Sequence, residues 1–308
     1  MNFKEWLASV PKPAPGKFSP ALSFRQIWQD VEAVCEKYPS LCTVSELGRS
    51  VQGRPIFSVE VAHQKKAPVI LVIANLHAME HVGVITAVRL LERAALGHGN
   101  WTKRRLVVVP MSNPDGFCMS EEALTQGKKT FLRKNAHTVD LNRNFAINWD
   151  AGYYLHRLLP KLYTPGPAPL SEPETQALDQ AGREFSPLVM ASLHAFGDFF
   201  FLPWAGSREK PKDLPRMLDI ANSMADRQPH TRYRIMQLGR RTRLFQAKGA
   251  EIDHFYGKYG ALSFLAEIGP GPFSQPTQWF FPYRWFTPSS WEPLVDNILP
   301  ALDVLAEV

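Results

Sequence analysis

A histidine and a glutamate lie three residues apart in His77-Ala-Met-Glu80, directly after the apolar run of residues 69–75. Imidazole nitrogen and carboxylate oxygen both bind Zn²⁺, and a catalytic zinc site has three protein ligands with a fourth position kept for water. The pair therefore predicts two ligands of a zinc ion and requires a third elsewhere in the chain. A glutamate also stabilises a helix N-terminus, so the pair alone fits a simple helix start as well.

A second interpretation includes His81, which completes the pattern His-x-x-Glu-His. In that pattern, two histidines on one helix bind zinc and the glutamate between them is the base. Here His77 follows a strand directly, and helical periodicity begins only within residues 82–91. We therefore expect His77 on the loop after the strand, Glu80 near the helix N-terminus, and His81 facing elsewhere.

The order of the apolar runs predicts the elements that position these residues. Runs at residues 69–75 and 106–109 flank a helical pattern at residues 82–95, and such a βαβ unit places its two strands parallel. Residues 43–61 are typical of an antiparallel hairpin. The other predicted elements are strands at residues 188–193 and 262–266 and helices at residues 23–38, 172–183, 212–226 and 291–307.

Length and composition set the architecture. The chain has 308 residues, 45% of them hydrophobic, which is enough for one large core. We predict a single α/β domain over residues 21–308, with a mixed, mostly parallel, twisted β-sheet flanked by helices. Residues 1–20 are predicted to form a flexible N-terminal lead.

Three features bear on location and partners. No apolar run reaches the roughly 18 residues of a membrane span, and charges and prolines stand where a signal peptide has its apolar stretch. Three cysteines form too sparse a set for a disulfide framework, which fits a reducing compartment. We expect a cytoplasmic protein without a membrane partner. No nucleic-acid partner is expected, because the chain has no zinc finger, RNP-type motif or isolated basic tail.

The net charge is +6, and part of the excess is concentrated in one basic cluster. One interpretation is a solvated pair of strands with basic outer faces. The other is a cavity mouth that attracts acidic substrates. The cluster consists of Arg232, Arg234, Arg240, Arg241, Arg243 and Lys248.

Polar residues follow four of the predicted strands. They are His77, then Asn113 and Asp115, then His194, and finally Glu267. Ligands of open α/β sheets bind outside the carboxyl ends of the strands, so we expect these positions to share one site. Glu267 follows an apolar run, where a carboxylate is costly unless it is paired or near a metal.

Six motifs in this order resemble those of the zinc carboxypeptidases of the carboxypeptidase A type (family M14), from about residue 23 to the C-terminus. The HxxE motif alone is unspecific, but the ordered set is a strong signal. The other five motifs are Asn113-Pro-Asp-Gly116, Phe131-Leu-Arg-Lys-Asn135, Asp140-Leu-Asn-Arg-Asn-Phe145, Ser192-Leu-His194 and Phe264-Leu-Ala-Glu-Ile268.

The resemblance implies a metal site and a base. His77, Glu80 and His194 would hold one Zn²⁺ per chain, in the His₂Glu coordination known for carboxypeptidase A. Glu267 would be the general base that takes a proton from water and later returns it to the leaving amine. Bound zinc lowers the pKa of its water to about 7, so this chemistry is available at neutral pH.

The resemblance also implies how the substrate is held. Arg133 would stabilise the oxyanion, and losing one such donor typically costs about 10²–10³ in rate. Asn142 and Arg143 would bind the free carboxylate of the substrate, because a guanidinium can bind a carboxylate with two hydrogen bonds where lysine cannot.

The chain departs from the family pattern at two positions. The well-studied digestive enzymes have an arginine where this chain has Met79, and a mobile-loop tyrosine where it has Phe245. Phenylalanine can still cover a substrate, but it has no hydroxyl to donate. Ile252 aligns with the residue at the base of the specificity pocket. An apolar residue there argues against lysine or arginine as the preferred side chain, although Asp253 is adjacent.

These observations favour a zinc metallocarboxypeptidase that cleaves a peptide or amide bond next to a free carboxylate in a small peptide. One alternative is an amidase or carboxypeptidase for cell-wall peptides that contain D-glutamate and diaminopimelate, or for glutamate-rich peptides. A related deacylase or esterase would use the same zinc site. A non-catalytic peptide-binding relative is the alternative from a different class.

Overall fold

Parallel strands form the centre of an eight-stranded sheet in the described part of the chain, with the order β1-β2-β4-β3-β5-β8-β6-β7. The computed structural model describes residues 2–12, 21–129, 131–241, 245–272 and 279–308. The strands are β1 (Cys42–Arg49), β2 (Pro55–Ala62), β3 (Val69–Ala74), β4 (Arg105–Val109), β5 (Val189–His194), β6 (Phe199–Leu202), β7 (Arg234–Gln237) and β8 (Leu262–Glu267).

The pairing confirms the predicted mixed, mostly parallel sheet. Strands β4, β3, β5 and β8 pair in parallel and hold the centre. At one edge, β1 and β2 form the antiparallel hairpin, and β2 also pairs antiparallel with β4. At the other edge, β6 runs antiparallel to β8, and β7 runs parallel to β6. The carboxyl ends of β3, β5 and β8 therefore meet on one side of the sheet.

Helices cover both faces of the sheet, so its central strands are buried on both sides. Ile70 and Val72 of β3 face one core layer, and Leu71 and Ile73 face the other. This explains why the central strands are continuous apolar runs rather than alternating ones. The helices are α1 (Phe3–Ser9), α2 (Phe24–Lys37), α3 (His81–Ala95), α4 (Pro114–Thr125), α5 (Tyr154–Leu158), α6 (Pro173–Phe185), α7 (Leu214–Asp226), α8 (Glu251–Tyr259), α9 (Tyr283–Phe286) and α10 (Glu292–Asp303).

The segment predicted as a flexible lead contains helix α1. Its residue Leu7 is buried, and the ring of Trp6 packs edge-on against Trp28 of α2 with centroids 5.5 Å apart. Phe3 packs in the same way against Phe57, at 5.3 Å. Three apolar side chains on one face of a short helix explain why residues 3–9 are packed rather than free. Residues 13–20 of the predicted lead lie outside the described residues.

Strand β6 was not predicted from the sequence, and β7 falls where a solvated pair of strands was one of two interpretations of the basic cluster. β6 and β7 have four residues each, too few for a period-two pattern to be distinguished from a loop. Among the described residues, no helix is both long enough and apolar enough to cross a bilayer.

Candidate metal centre and active site

Three donor groups converge where β3 and β5 end. His77 lies on the loop after β3, Glu80 is the N-cap of α3, and His194 is the last residue of β5. The Nδ1 of His77 lies 2.7 Å from Glu80 Oε1, and the Nδ1 of His194 lies 2.9 Å from Glu80 Oε2. The two Nδ1 atoms are 3.1 Å apart. The loop and helix-start positions expected for His77 and Glu80 agree with the structure.

The geometry fits one small cation. Zinc bonds of about 2.0–2.2 Å at tetrahedral angles separate donor atoms by roughly 3.3–3.5 Å, slightly more than the distances here. All three side chains are buried. Two ring nitrogens at 3.1 Å that both face a carboxylate are the donor set a catalytic zinc ion uses.

A carboxylate lies behind each histidine. The Nε2 of His77 is 3.2 Å from Asp140 Oδ1, and the Nε2 of His194 is 3.1 Å from Glu251 Oε1. A carboxylate in this position holds the ring in place and keeps the proton on Nε2, which leaves Nδ1 free to bind metal. Both rings are therefore oriented toward the same point.

The electrostatics of the centre favour a cation. Burial alone would raise the pKa of Glu80, but the neighbouring His77 and His194 lower it to about 2. Burial alone would lower the pKa of His194, but the carboxylates of Glu80 and Glu251 raise it to about 10. The centre thus concentrates negative charge around two imidazoles in a buried place, and a divalent ion would balance that charge.

Glu267 lies beside the donor set. It ends β8 and is paired in register with His194 across the sheet. Its Oε2 atom is buried and has no hydrogen-bond partner among the described residues. Burial, reinforced by the charge of Glu80, raises the pKa of Glu267 to about 8. A carboxylate with an unpartnered oxygen next to a metal site is suited to accept a proton.

Asp140 links Arg133 to the metal ligands. The Nε of Arg133 donates to Asp140 Oδ2 at 2.9 Å, while the other oxygen of the same carboxylate contacts His77. Backbone contacts fix the Arg133 loop as well: Ala78 N donates to Arg133 O at 3.1 Å. The Arg133 guanidinium is thereby held at a set position beside the centre.

Met79 contributes to that loop rather than to the cavity. It is buried, and its sulfur accepts a hydrogen bond from the backbone N–H of Leu132 at 3.1 Å. Its carbonyl oxygen accepts from the Thr287 hydroxyl, also at 3.1 Å. The residue that departs from the family pattern thus holds the strand-to-helix loop against the segment that carries Arg133.

Arg143 lies in a buried turn with a surplus of positive charge. Asp140 caps this turn, residues Leu141–Arg143, by accepting from Asn142 N at 3.1 Å. Burial lowers the pKa of Arg143, Asp140 opposes this effect, and the nearby Arg133 adds to it. The charges of Asp140 and Glu251 both act on Arg143, but Arg143 forms no ion pair with a carboxylate among the described residues, so its guanidinium can pair with an anion.

Two aromatic rings stand over Arg143. The ring centre of Tyr163 is 5.0 Å from the guanidinium carbon, and that of Phe245 is 5.8 Å from it. The two ring centres are 6.0 Å apart. Aromatic faces at this distance hold a guanidinium in place without neutralising its charge.

Most of these groups line one cavity of about 320 Å³, whereas Asp140, Glu251 and Met79 are not among its lining residues. Its wall includes the three donor residues, Glu267, Arg133, Asn142, Arg143 and Phe245, so the structure brings these predicted residues together. Ile252 is the exception. It is completely buried within one of the two core clusters and is not among the residues that line the cavity.

Three other positions have structural roles. The side chain of Asn113 caps α4 by accepting from Gly116 N at 2.9 Å. Asp115 accepts from the Ser50 hydroxyl at 2.8 Å and from Arg54 at 2.7 Å, which ties α4 to the β1–β2 turn. The expectation that Asn113 and Asp115 share the site at the strand ends is therefore wrong.

His81 stacks on Phe117 with ring centres 3.8 Å apart, away from the metal centre as predicted.

Sequence reasoning missed three residues of the site. Asp140 opens one of the six motifs, so its place in the motif could have identified it as a site residue. Glu251 could have been noticed only as an acidic residue between the apolar residues Ala250 and Ile252. Tyr163 left none, because it lies in a proline-rich loop and reaches the cavity only through tertiary packing.

Three convergent ligand atoms beside a buried carboxylate, at the carboxyl edge of an α/β sheet, define a site of the mononuclear zinc hydrolase kind. The sequence matches the family model described as zinc carboxypeptidase over residues 27–292, and the chain therefore belongs to the zinc carboxypeptidase family, peptidase family M14. The resemblance inferred from the ordered motifs is thus confirmed.

Individual relatives are distant in sequence. Zinc carboxypeptidase A 1 of Drosophila melanogaster is 24% identical over 287 residues, a match that covers 87% of this chain and 66% of the relative. Carboxypeptidase A2 of Rattus norvegicus is 24% identical over 260 residues, covering 80% of this chain and 62% of the relative. The chain therefore spans somewhat less than two thirds of the length of these relatives.

Solved structures share the fold. Bovine thrombin-activatable fibrinolysis inhibitor, in complex with tick carboxypeptidase inhibitor, superposes with a TM-score of 0.73 at 22% identity, covering 93% of this chain and 98% of that one. Carboxypeptidase A of Helicoverpa armigera superposes with a TM-score of 0.70 at 20% identity, covering 91% and 73%. At these identities the similarity supports the architecture alone.

Proposed function

We propose that the protein is a zinc-dependent metallocarboxypeptidase that hydrolyses a peptide or amide bond next to a free carboxylate. The observation that carries this proposal is the convergence of His77 Nδ1, the Glu80 carboxylate and His194 Nδ1 next to the unpartnered oxygen of Glu267. One zinc ion held by the three ligands would supply a Lewis acid and a water of lowered pKa.

The residues of this chain divide the remaining work. Glu267 takes a proton from the attacking water and delivers it to the nitrogen of the leaving amine. Arg133, fixed by Asp140, donates to the carbonyl oxygen as negative charge develops there. Since that charge is larger in the transition state than in the substrate, the contact lowers the barrier rather than only tightening binding.

Binding of the substrate carboxylate falls to Asn142 and Arg143. The Arg143 guanidinium, which lines the cavity and forms no ion pair among the described residues, supports an anion at this place, and the rings of Phe245 and Tyr163 lie over it. A cavity of about 320 Å³ suits a terminal residue and the bond before it. The substrate is therefore a small peptide or peptide-like molecule with a free carboxylate.

A matched pair of substrates tests this function. The zinc-loaded protein should release the terminal residue from N-blocked dipeptides, whereas the same dipeptides with an amidated C-terminus should react far more slowly. Glu267→Gln should reduce kcat by about 10²–10⁴-fold, the usual contribution of a positioned base. Turnover by Glu267→Gln at the wild-type rate, or equal turnover of the amidated peptides, would contradict the proposal.

The cytoplasmic location predicted from the sequence remains part of this proposal. The sequence has only three cysteines, Cys35, Cys42 and Cys118, a sparse and odd set that suits a reducing compartment. Fractionation of cells that express the protein would test it.

A further inference from the structure

Arg241 is a third guanidinium in the cavity, in addition to Arg133 and Arg143. It directly follows the short turn Leu238–Arg240, which continues from β7. Arg133 is paired with Asp140, whereas Arg241 forms no ion pair with a carboxylate among the described residues, and its positive charge lowers the pKa of Glu267, which lines the same cavity. A cationic side chain that lines a cavity and has no ion-pair partner is a place where a substrate anion can bind.

Strand β6 holds Arg241 at this place. The guanidinium carbon lies 5.1 Å from the ring centre of Phe199 and 5.5 Å from that of Phe201. The two rings are stacked, with centres 4.8 Å apart, and form one aromatic wall. Phe199 is paired in register with Glu267 of β8, so the wall leads from the proposed base to Arg241.

Apolar side chains line the same cavity as Glu267 and Arg241. They include Phe201, Leu238, Ala247 and Leu265. Such a wall suits the methylene groups of a side chain, and Arg241 suits a carboxylate at its end. A basic side chain would instead meet like charge, and a purely apolar one would leave the guanidinium without a partner.

We propose that Arg241 selects an acidic residue at the C-terminus of the substrate, so that the protein releases glutamate or aspartate from peptides. This inference rests on the proposed function. Arg143 binds the main-chain carboxylate and Arg241 binds the side-chain carboxylate. Hydrolysis adds one water across the C–N bond: the hydroxyl group goes to the carbonyl carbon, the proton goes to the leaving nitrogen, and the products are the acidic amino acid and a shortened peptide.

The basic cluster is therefore not uniform. Arg232 pairs with Asp226 on the exposed surface at 2.8 Å, as a solvated face would. Arg241 alone among the cluster's described members lines the cavity. Arg243 lies outside the described residues. Arg240 is exposed, adjacent in sequence and absent from the cavity wall, which makes it the matched control.

The test compares isosteric substrates with and without the side-chain charge. N-blocked dipeptides ending in glutamate, glutamine, leucine or lysine are given to the zinc-loaded protein. The ratio of kcat/KM for glutamate over glutamine should be roughly 10 to 100, the usual contribution of a charge-assisted pair. Because both substrates need the same catalytic steps, the ratio cancels any effect of a substitution on the chemistry itself.

Three variants decide the outcome. Arg241→Met should bring the ratio near one, Arg241→Lys should keep part of it, and Arg240→Met should keep all of it. A wild-type ratio near one, or a wild-type ratio retained in Arg241→Met, would overturn the inference while leaving the carboxypeptidase function intact. If the wild-type protein hydrolyses none of the four peptides, the proposed function fails and the inference fails with it.

Discussion

Asp140→Asn should weaken zinc binding and destabilise the metal-free protein, by two separable mechanisms. One oxygen of Asp140 contacts His77 Nε2 at 3.2 Å and Asn142 N at 3.1 Å, and the other accepts from Arg133 Nε at 2.9 Å. Burial alone would raise the pKa of Asp140, but Arg133, Arg143 and His77 hold it well below its usual range. The carboxylate is therefore charged at neutral pH. The asparagine keeps one oxygen but turns its NH₂ group toward a guanidinium or an imidazole that also donates.

The magnitudes follow from these contacts. Loss of a carboxylate behind a metal-binding histidine typically costs about 10–100-fold in metal affinity. Breaking a buried ion pair by removing one partner costs about 3–5 kcal/mol of folding stability. The unfolding entropy is roughly 2.1 cal/mol/K per residue, so a chain of 308 residues loses about 1.5 °C per kcal/mol. The melting temperature of the metal-free variant should therefore fall by roughly 5–8 °C.

Two measurements and one control separate the mechanisms. Zinc affinity is measured by competition with a chromophoric chelator, and stability by calorimetry of the metal-free protein. Asp115→Asn is the control, because Asp115 is equally buried and paired with Arg54 at 2.7 Å but lies away from the metal centre. It should lower the melting temperature without changing the zinc affinity. Wild-type zinc affinity in Asp140→Asn, or an equal loss of affinity in Asp115→Asn, would refute the reasoning.

Three further predictions concern the metal, its second carboxylate and the acid limit. Removal of zinc by a chelator should abolish hydrolysis and lower the melting temperature by roughly 6 °C relative to protein with zinc at a thousandfold excess over its Kd, which stabilises by about 4 kcal/mol. Glu251→Gln should weaken zinc binding by about tenfold in the same competition assay, since His194 loses a charged partner. Burial alone would raise the pKa of Asp179, but hydrogen bonds from Lys258, Tyr259 and His254 lower it to about 2. Its contribution of about 1–2 kcal/mol is present above pH 4 and is lost as the pH falls toward 2, so acid titrations of Asp179→Asn should show a smaller loss of stability over that window.

The sequence predicted the long central elements and the metal ligands for the same physical reason. Strands β3 and β5 are buried on both faces, so they appear as apolar runs, and the polar residues His77 and His194 stand out where the runs end. The short strands β6 and β7 have four residues each, too few for a sequence pattern to identify a strand. β6 pairs with β8, and β7 pairs with β6, so both are held at the sheet edge by contacts between segments far apart in the chain.

The residues of the site also differed in how well the sequence predicted their positions. Arg133 and Arg143 lie in motifs whose letters can be recognised, and the structure brings both to the cavity. Tyr163 comes from a proline-rich loop, and its place over Arg143 depends on how that loop packs against the capped turn. Ile252 is the reverse case. Its match to the family pattern predicted a place at the base of the specificity pocket, but in α8 its side chain is buried in the core.

Carboxyl groups and guanidinium groups line the same cavity, so it has places both for a metal cation and for an anionic substrate. The Glu80 carboxylate, at the start of α3, lies against His194 at the end of β5, and the Glu267 carboxyl group ends the neighbouring strand β8, so a metal ion would find negative charge there. Arg133, Arg143 and Arg241 place positive charge on the loops that face those strand ends. A peptide with a terminal carboxylate can therefore lie with its scissile carbonyl between the two regions. Because this arrangement needs guanidinium groups and not a tyrosine hydroxyl, replacing the loop tyrosine by phenylalanine leaves the electrostatic basis of substrate binding in place.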